Sequence, residues 1–268
     1  MIKAAICTDA DHSILTRDHP DLLLQTRDFN EEQIKTFWEE VDIKAEEYKH
    51  KTPIRRTNTD CYYIRHMLDH PAFQKRPLTM QEVHKIARQG LPSILCPGMP
   101  YFFQRKKQEH PNLQLSSHII SLGIVDMLEQ IFTENYVEGL YGYALAEKNG
   151  TITGVAGSQS SLEKPDAIKD ISRGIYSGTI DYGKFEIPIS HMVYIGDSGT
   201  DKRAFWTIRH QKNPGLAVCV FDPNNNLSYQ KAKKMQREVP GLMKAERDFR
   251  PGSKLDDILN KFFLSLTA

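Results

Sequence analysis

The sequence contains little cysteine, no excess of either charge and no long apolar run. Its four cysteines are scattered through 268 residues, a length at which a hydrophobic core folds without disulfides. With 35 Lys and Arg against 34 Asp and Glu, the charge balance does not indicate nucleic-acid or anionic-membrane binding. No stretch has the length of a bilayer span, and no cationic segment followed by an apolar run opens the chain. We therefore expect a cytoplasmic protein with reduced thiols and with no nucleic-acid or membrane partner.

Two carboxylates follow an apolar, β-prone run near the start of the chain. Residues 2–8 (IKAAICT) have the composition of a buried central strand, and Asp9 and Asp11 come directly after them. Ligands bind beyond the carboxyl ends of strands in open α/β sheets, so both acids are expected within reach of a substrate. One carboxylate can then attack while the other transfers protons. This segment alone is equally compatible with a solvated turn.

A second acidic segment follows another β-prone run. Residues 191–195 (HMVYI) precede Gly196 and Asp197, and Asp201 stands just before a helical stretch. Mg²⁺ takes oxygen ligands and is often held by one or two carboxylates together with a substrate phosphate. Adjacent parallel strands would bring Asp9 and Asp197 together for this purpose. The competing interpretation is that the acids of this segment cap the following helix.

A hydroxyl and an amine stand between the two acidic segments. Ser121 follows a third apolar run, residues 115–120 (LSSHII), and Lys164 opens a helical stretch in which Pro165 suits the first turn. Phosphoryl transfer spreads negative charge over the phosphate oxygens, so its catalysis requires fixed donors and a cation. Either residue alone is typical of a protein surface. It is the order of all four segments that indicates a magnesium-dependent phosphoryl-transfer site.

The four segments resemble the four motifs of the haloacid-dehalogenase-like (HAD) superfamily of aspartate-nucleophile phosphohydrolases. The resemblance extends from Asp9 to Asp201. It implies that Asp9 is the nucleophile and a metal ligand. It also implies that Asp11 is the general acid and base, with a backbone carbonyl that binds Mg²⁺. A phosphomonoester would then be hydrolysed through an aspartyl-phosphate on Asp9.

The same resemblance assigns roles to the remaining site residues. It implies that Ser121 holds the substrate phosphate and that Lys164 is a catalytic cation that also binds this phosphate. It implies that Asp197 binds Mg²⁺ and that Asp201 supports the metal site. Two positions depart from the family pattern near Asp9 and bear on the shape of the loop and on substrate contacts there: His12 stands where glycine is common, and Ser13 replaces the usual threonine.

The residues between Asp11 and Ser121 are far more numerous than one βα crossover needs, and much of this stretch has a helical pattern. From Asn30, apolar residues share one helical face, and a second helix is expected over residues 59–70. A capping box at residues 79–82 opens a third helix, which Gly90 is expected to end. The helical face comprises Ile34, Phe37, Trp38, Val41, Ala45 and Tyr48.

These patterns predict the architecture. We expect a three-layer, Rossmann-like α/β core with a mainly parallel sheet, formed by residues 1–15 and 91–268, and an inserted helical cap of residues 16–90. The cap resembles the C1-type cap of the phosphoserine-phosphatase-like branch. A β-hairpin over residues 143–154, with Asn149 and Gly150 at its turn, also recurs in that branch.

The helix over residues 59–70 also carries a competing site. His66 and His70 are spaced to share a face that binds zinc, with Cys61 nearby, but this segment lacks the glutamate of a hydrolytic zinc helix. Surface histidines are therefore the preferred interpretation. Four other side chains are candidate anion or polar contacts for the substrate without matching a family pattern: Arg55, Arg56, Arg65 and Gln104.

The sequence thus predicts a magnesium-dependent phosphatase acting on a small phosphorylated metabolite. Several alternatives remain open at this stage: a phosphotransferase, a hydrolase of carbon–phosphorus bonds, a phosphate-sensing receiver module and a catalytically silent binding protein. A receiver module needs no cap, and a silent binding protein needs no proton-transferring Asp11. The oligomeric state and the identity of the metabolite are not indicated.

Overall fold

The computed structural model describes residues 1–51, 60–157, 163–176, 179–180 and 186–268. Seven strands form one sheet, and two further short strands form a separate two-stranded ribbon. The strands of the sheet are β1 (Ile2–Thr8), β2 (Leu113–Ile124), β3 (Gly139–Lys148), β4 (Thr151–Gly157), β7 (Met192–Gly196), β8 (Leu216–Phe221) and β9 (Met243–Glu246), and those of the ribbon are β5 (Ile175–Tyr176) and β6 (Thr179–Ile180).

The sheet has the order β4-β3-β2-β1-β7-β8-β9, and β4 is its antiparallel edge strand. The other neighbours pair in parallel. The centre of the sheet is fully covered, because Ala4–Thr8 of β1 are buried without interruption. Alternate residues of β1 pack into two separate hydrophobic cores, one on each face of the sheet: Ile6 lies in the first and Cys7 in the second. The predicted mainly parallel α/β core is confirmed.

Eleven α-helices are present among the described residues, and they pack on both faces of the sheet. The face that receives Cys7 is covered by α8, α9 and α10, and the opposite face by the remaining core helices. The helices are α1 (Asp21–Gln25), α2 (Glu31–Lys51), α3 (Tyr62–Asp69), α4 (Pro71–Lys75), α5 (Met80–Ile94), α6 (Phe102–Glu109), α7 (Val125–Leu128), α8 (Lys164–Ser172), α9 (Lys202–Arg209), α10 (Asn226–Glu238) and α11 (Lys254–Thr267).

Helix α2 has the predicted start and the predicted buried face. Asn30 and Gln33 bond reciprocally, each side chain accepting from the backbone N–H of the other at 2.9 Å. Ile34, Phe37 and Val41 are buried against the core. The helix is therefore held by a capped end and an apolar face, as its periodicity indicates.

The expectation that Gly90 ends a helix is wrong. Helix α5 begins at the predicted cap, where the Thr79 hydroxyl accepts from the Glu82 N–H at 3.1 Å, but it continues to Ile94 with Pro92 inside it. Gly90 is required for a different reason. A Cβ at this position would lie 2.9 Å from the Leu22 side chain of α1, so glycine lets two helices approach closely. Helix α5 thus crosses the boundary expected between cap and core at residue 90.

Two further sequence features are resolved by the structure. The helix expected over residues 59–70 is observed as α3, over Tyr62–Asp69, and residue 59 lies outside the described residues. A separate helix, α4, begins beyond it at Pro71, where the His70 ring accepts from the Ala72 N–H at 3.2 Å. The hairpin of β3 and β4 is confirmed. Asn149 and Gly150 at its turn both have positive φ, 52° and 78°. None of the described helices combines the length and apolar content needed to cross a bilayer.

Candidate active site

Three neighbouring strands bring the acidic segments to one edge of the sheet. In β1, Thr8 is level with Ile119 of β2 and Ile195 of β7. The backbone N–H of Asp9 donates to the Ile195 carbonyl at 2.8 Å, which extends the pairing by one residue. Asp197 follows the end of β7, so it emerges beside Asp9. The predicted meeting of the first and last segments is therefore observed.

Ser121 lies in this layer as well, but it does not end its strand. The run predicted to stop at residue 120 continues to Ile124, with a break in the β2–β3 register after Ile120. The buried Ser121 hydroxyl accepts from the Gly123 N–H at 2.9 Å. This contact fixes the orientation of the hydroxyl within the last residues of β2. The predicted end of this strand is therefore wrong, because β2 extends past Ser121.

Lys164 joins the first and last acidic segments. Its fully buried ammonium donates to Asp9 Oδ1 at 2.9 Å and to Asp201 Oδ1 at 2.7 Å. Burial by itself would lower the pKa of Lys164, but the Asp201 and Asp9 carboxylates outweigh burial and raise this pKa. The lysine therefore stays charged in a site from which water is largely excluded.

Asp201 has the capping role that the sequence offered, and it also bonds Lys164. Its Oδ2 accepts from the N–H groups of Asp197 and Ser198 at 3.0 and 3.2 Å and from the Ser198 hydroxyl at 3.4 Å, so it caps the turn that leads into α9. Its Oδ1 accepts from Lys164 and from the buried Tyr194 hydroxyl, each at 2.7 Å. Five hydrogen bonds thus fix this carboxylate, and through it the lysine and the loop that carries Asp197.

The acids and Lys164 leave an excess of negative charge that suits a cation. Oxygen atoms of Asp9, Asp197 and Asp201, which we call the carboxylate cluster, lie within 4.8 Å of one another. Burial, together with the neighbouring Asp201, raises the pKa of Asp9 and raises that of Asp197 to about 7. Three carboxylates against one lysine are poorly balanced, and hard oxygen donors at this spacing fit a divalent ion such as Mg²⁺. The cluster is the single such group found among the described residues.

Asp11 is not a member of the carboxylate cluster and is held by a residue that sequence reasoning missed. His19 donates to Asp11 Oδ1 twice, from its backbone N–H at 2.8 Å and from ring Nδ1 at 2.7 Å. Burial acts to raise the pKa of Asp11, but the His19 ring and its hydrogen bonds outweigh burial, so this pKa lies below its ordinary value. Tyr194 is a second residue that was missed. Neither carries a sequence signal, because each acts through a contact that folding creates.

Comparison with known proteins identifies the fold. No family model and no curated protein sequence matches the chain. A phosphoserine phosphatase solved as a phospho-aspartyl intermediate analogue matches with a TM-score of 0.60 at 19% identity, covering 97% of this chain and 99% of that chain. A substrate-bound phosphoserine phosphatase gives 0.59 at 15% identity, covering 97% and 99%. A HAD family hydrolase from Salmonella enterica subsp. enterica serovar Typhi gives 0.61 at 13% identity, covering 92% and 69%.

The chain has a HAD-like fold of the phosphoserine-phosphatase type. The fold predicted from the four motifs is thereby confirmed. At His12, where the resemblance leads one to expect glycine, the backbone has a positive φ of 57°, in the region that favours glycine. Its ring bonds Asp18 at 3.3 Å, and this hydrogen bond raises the pKa of His12 to about 9 although burial opposes the shift.

A cavity of about 600 Å³ opens beside Asp11, and we call it the active-site cavity. Its walls come from strand ends, including Gly123 of β2, and from helices that lie between β1 and β2 in the chain, including Trp38 of α2 and Tyr63 of α3. Five lining residues are acidic, and none of the described lining residues is basic. The acidic residues are Asp11, Asp18, Asp42, Glu46 and Asp60.

The other candidate contacts lie elsewhere or outside the described residues. Arg55 and Arg56 fall within residues 52–59, which are not described. Gln104 donates to the Asn135 carbonyl at 3.2 Å, and Arg65 bonds Asp69 on the exposed surface of α3. His66 contacts Glu40 at 3.0 Å, which favours the interpretation as an ordinary surface histidine over a zinc site.

Proposed function

We propose that the protein is a magnesium-dependent phosphatase that hydrolyses a small phosphomonoester through an aspartyl-phosphate on Asp9. The observation that carries this proposal is the buried bridge from Lys164 to Asp9 and Asp201, at the same strand end that is followed by Asp11. A nucleophile, a cation and a proton donor are thereby gathered at one edge of the sheet. The HAD-like fold supports the same chemistry.

In the first step an Asp9 oxygen forms a bond to phosphorus while the bond from phosphorus to the leaving oxygen breaks. Asp11, protonated, gives its proton to that leaving oxygen. In the second step water attacks phosphorus, Asp11 takes a proton from the water, and the bond from Asp9 to phosphorus breaks. The dianionic phosphate of a bound substrate raises the pKa of Asp11 by like-charge repulsion and so favours the protonated form for the first step.

The roles of the other residues follow from their positions. Asp9 and Asp197 would hold Mg²⁺, with the backbone carbonyl of Asp11, and Asp201 would support them through its hydrogen bonds. The ion would supply charge stabilisation to the phosphate oxygens when bound. Lys164 and the Ser121 hydroxyl would stabilise the same oxygens from the protein side.

The test is a panel of phosphomonoesters assayed with EDTA and with added Mg²⁺. We expect activity that EDTA removes and Mg²⁺ restores, and we expect Asp9→Asn to abolish phosphate release because an amide does not attack phosphorus. Asp166→Asn, at a surface carboxylate paired with Lys169 at 2.8 Å, is the matched control. Full turnover by Asp9→Asn would refute the mechanism, and restoration by Zn²⁺ alone would refute the magnesium site.

The lifetime of the aspartyl-phosphate, in the wild type and in Asp11→Asn, distinguishes a phosphatase from a phosphate-sensing receiver module. Asp11→Asn is expected to accumulate the aspartyl-phosphate, because attack by water then lacks its base. A wild-type protein that retains the phosphoryl group without turnover would instead be a receiver module. Transfer of the phosphoryl group to an added alcohol in preference to water would identify a phosphotransferase.

The proposed location of the enzyme is the cytoplasm. All four cysteines are free thiols, and three of them, Cys7, Cys96 and Cys219, are buried. Reduced thiols are the usual state in that compartment. When cells are lysed without added reductant and the protein is then denatured in the presence of a thiol reagent, labelling of all four thiols is the expected result.

A further inference from the structure

The His19 ring is enclosed between the two segments that carry the proposed catalytic groups. It is fully buried. On one side it contacts Asp11, and on the other it contacts the end of β2 just beyond Ser121. A buried imidazole with a hydrogen bond on each nitrogen has a defined orientation and a defined tautomer.

The partners of the ring determine where its proton lies. The backbone N–H of Ile124 donates to His19 Nε2 at 2.8 Å. A backbone amide can only donate, so Nε2 must offer its lone pair and carry no hydrogen. The ring proton is therefore on Nδ1, from which it is donated to Asp11 Oδ1 at 2.7 Å.

This arrangement makes the two oxygens of Asp11 unequal. Oδ1 accepts both the ring Nδ1–H and the backbone N–H of His19. Oδ2 has no hydrogen-bond partner among the described residues, and Asp11 lines the active-site cavity. One oxygen is thus anchored to the protein and the other is directed to where a substrate would lie.

The end of β2 is shaped to accept the ring. A Cβ on Gly123 would lie 1.9 Å from His19 Cε1, so glycine is required at this position for the imidazole to fit. The same Gly123 donates its N–H to the Ser121 hydroxyl. The last residues of β2 therefore contact the His19 ring and also hold the proposed phosphate-binding hydroxyl.

We propose that His19 is a positioning residue for the proton transfer by Asp11. Its neutral, Nδ1-protonated ring holds Oδ1, so that Oδ2 carries the proton to the leaving oxygen and later takes a proton from water. This inference rests on the phosphatase function proposed above. His19 does not touch the substrate; it acts by restricting the rotation of the Asp11 carboxyl group.

Two conservative variants of His19 test the contacts of its two ring nitrogens separately. His19→Asn places an amide nitrogen near the position of Nδ1 and keeps a donor for Asp11, whereas His19→Gln places an amide near Nε2 and keeps an acceptor for Ile124. His191→Gln is the matched control, because His191 bonds the Lys3 carbonyl at 3.0 Å at the opposite edge of the sheet. Thermal unfolding confirms that each variant is folded.

The kinetic readout is kcat/KM for phosphomonoesters with good and poor leaving groups, which reports the step that needs the acid. For His19→Gln we expect a loss of about a hundredfold with an alkyl phosphate and less than about threefold with 4-nitrophenyl phosphate, whose leaving group departs without a proton. His19→Asn should stay within about fivefold of wild type for both substrates. An equal loss on both substrates in His19→Gln would overturn the positioning role.

A spectroscopic readout does not depend on turnover. Nitrogen-15 correlation spectra of the wild-type histidine rings should show His19 neutral and protonated at Nδ1. A ring protonated at Nε2, or at both nitrogens, would overturn the inference. A wild-type protein that is inactive on every phosphomonoester would overturn the proposed function and the inference together, whereas an active enzyme with equal losses would overturn the inference alone.

Discussion

At the residue scale, Lys164 is charged in surroundings that oppose any charge. Its ammonium is enclosed, and two carboxylates keep it protonated. Removing one member of a buried ionic group is costly, since the partners lose their counter-charge and keep the penalty of burial. The stability of the site therefore depends on all its charges being present at once.

Lys164→Met is expected to lower the free energy of unfolding of the metal-free protein by about 3–5 kcal/mol. It should also reduce kcat at least about a hundredfold, because a fixed cation at the phosphate is lost. Denaturant unfolding and the phosphatase assay measure the two effects. Lys169→Met, which removes a surface lysine of the same helix, should change stability by less than about 1 kcal/mol. Equal effects of the two substitutions would contradict this account.

Protons and Mg²⁺ are expected to compete for Asp197, whose pKa burial raises to about 7. A raised carboxyl pKa means that the folded, metal-free protein binds a proton that the unfolded chain releases, so this group favours folding at low pH and loses that contribution as the pH rises towards 7. Mg²⁺ replaces the proton. The rise in melting temperature caused by Mg²⁺ should therefore be larger at pH 8 than at pH 5.5.

Thermal unfolding with Mg²⁺ and with EDTA at both pH values checks this expectation. Asp197→Asn removes the titrating group and should flatten the pH dependence of the Mg²⁺ effect. A magnesium-induced shift that is the same at both pH values in the wild type would show that Asp197 does not take part in the competition.

At the scale of elements, a buried ionic network joins α6 to the C-terminal α11. The ammonium of Lys106 is fully buried and donates to Glu109 at 2.7 Å and to Asn260 at 2.6 Å, and it pairs with Asp256. Asp256 also accepts from the Gly252 N–H at 3.0 Å, near the capped start of α11. This network attaches the last helix to α6.

Lys106→Met is expected to destabilise the fold by about 3–5 kcal/mol, because it leaves the Asp256 carboxylate buried with fewer partners. The neighbouring Lys107 offers a matched control, since it forms a more exposed pair with Glu138 at 2.6 Å. Lys107→Met should cost less than about 1 kcal/mol. Denaturant unfolding of both variants measures the difference, and a smaller loss for Lys106→Met than for Lys107→Met would refute the structural role of the network.

At the scale of the whole molecule, the active-site cavity is bounded by strand ends on one side and by helices that lie between β1 and β2 in the chain on the other. In the proposed mechanism the substrate phosphate would lie at Lys164 and Mg²⁺, whereas the described walls of the cavity offer five carboxylates and no base. The leaving group of a substrate therefore enters a negative field. A carboxylate-bearing leaving group is disfavoured there, and an amine-bearing one is favoured.

We expect kcat/KM for 2-aminoethyl phosphate to exceed that for carboxymethyl phosphate by about tenfold at low salt, the effect of roughly 1.4 kcal/mol of screened charge interaction. Added salt should reduce the ratio. Asp42→Asn should reduce it as well, because Asp42 lies on the cavity wall away from the proposed catalytic groups. A preference for carboxymethyl phosphate would mean that residues outside those described set the charge of the site.

Much of the core was predictable from local composition. Strand β1 and the starts of α2 and α5 have the predicted positions, because burial on both faces and side-chain capping depend on consecutive residues. The approximate places of Asp9, Asp197 and Lys164 follow from the ends of such elements. By contrast, Gly90 was misread as a helix end, because its close approach to Leu22 of α1 is a contact between segments distant in sequence.

The sequence by itself determined the kinds of chemical groups in the site and their order along the chain, since these depend on residue types and on strand ends. Tertiary structure alone decided which groups are paired. The contacts of Asp201 with Tyr194 and of Asp11 with His19 arise when separate segments pack together. Burial then turns these contacts into altered pKa values and fixed orientations, because a charge removed from water responds to its immediate neighbours.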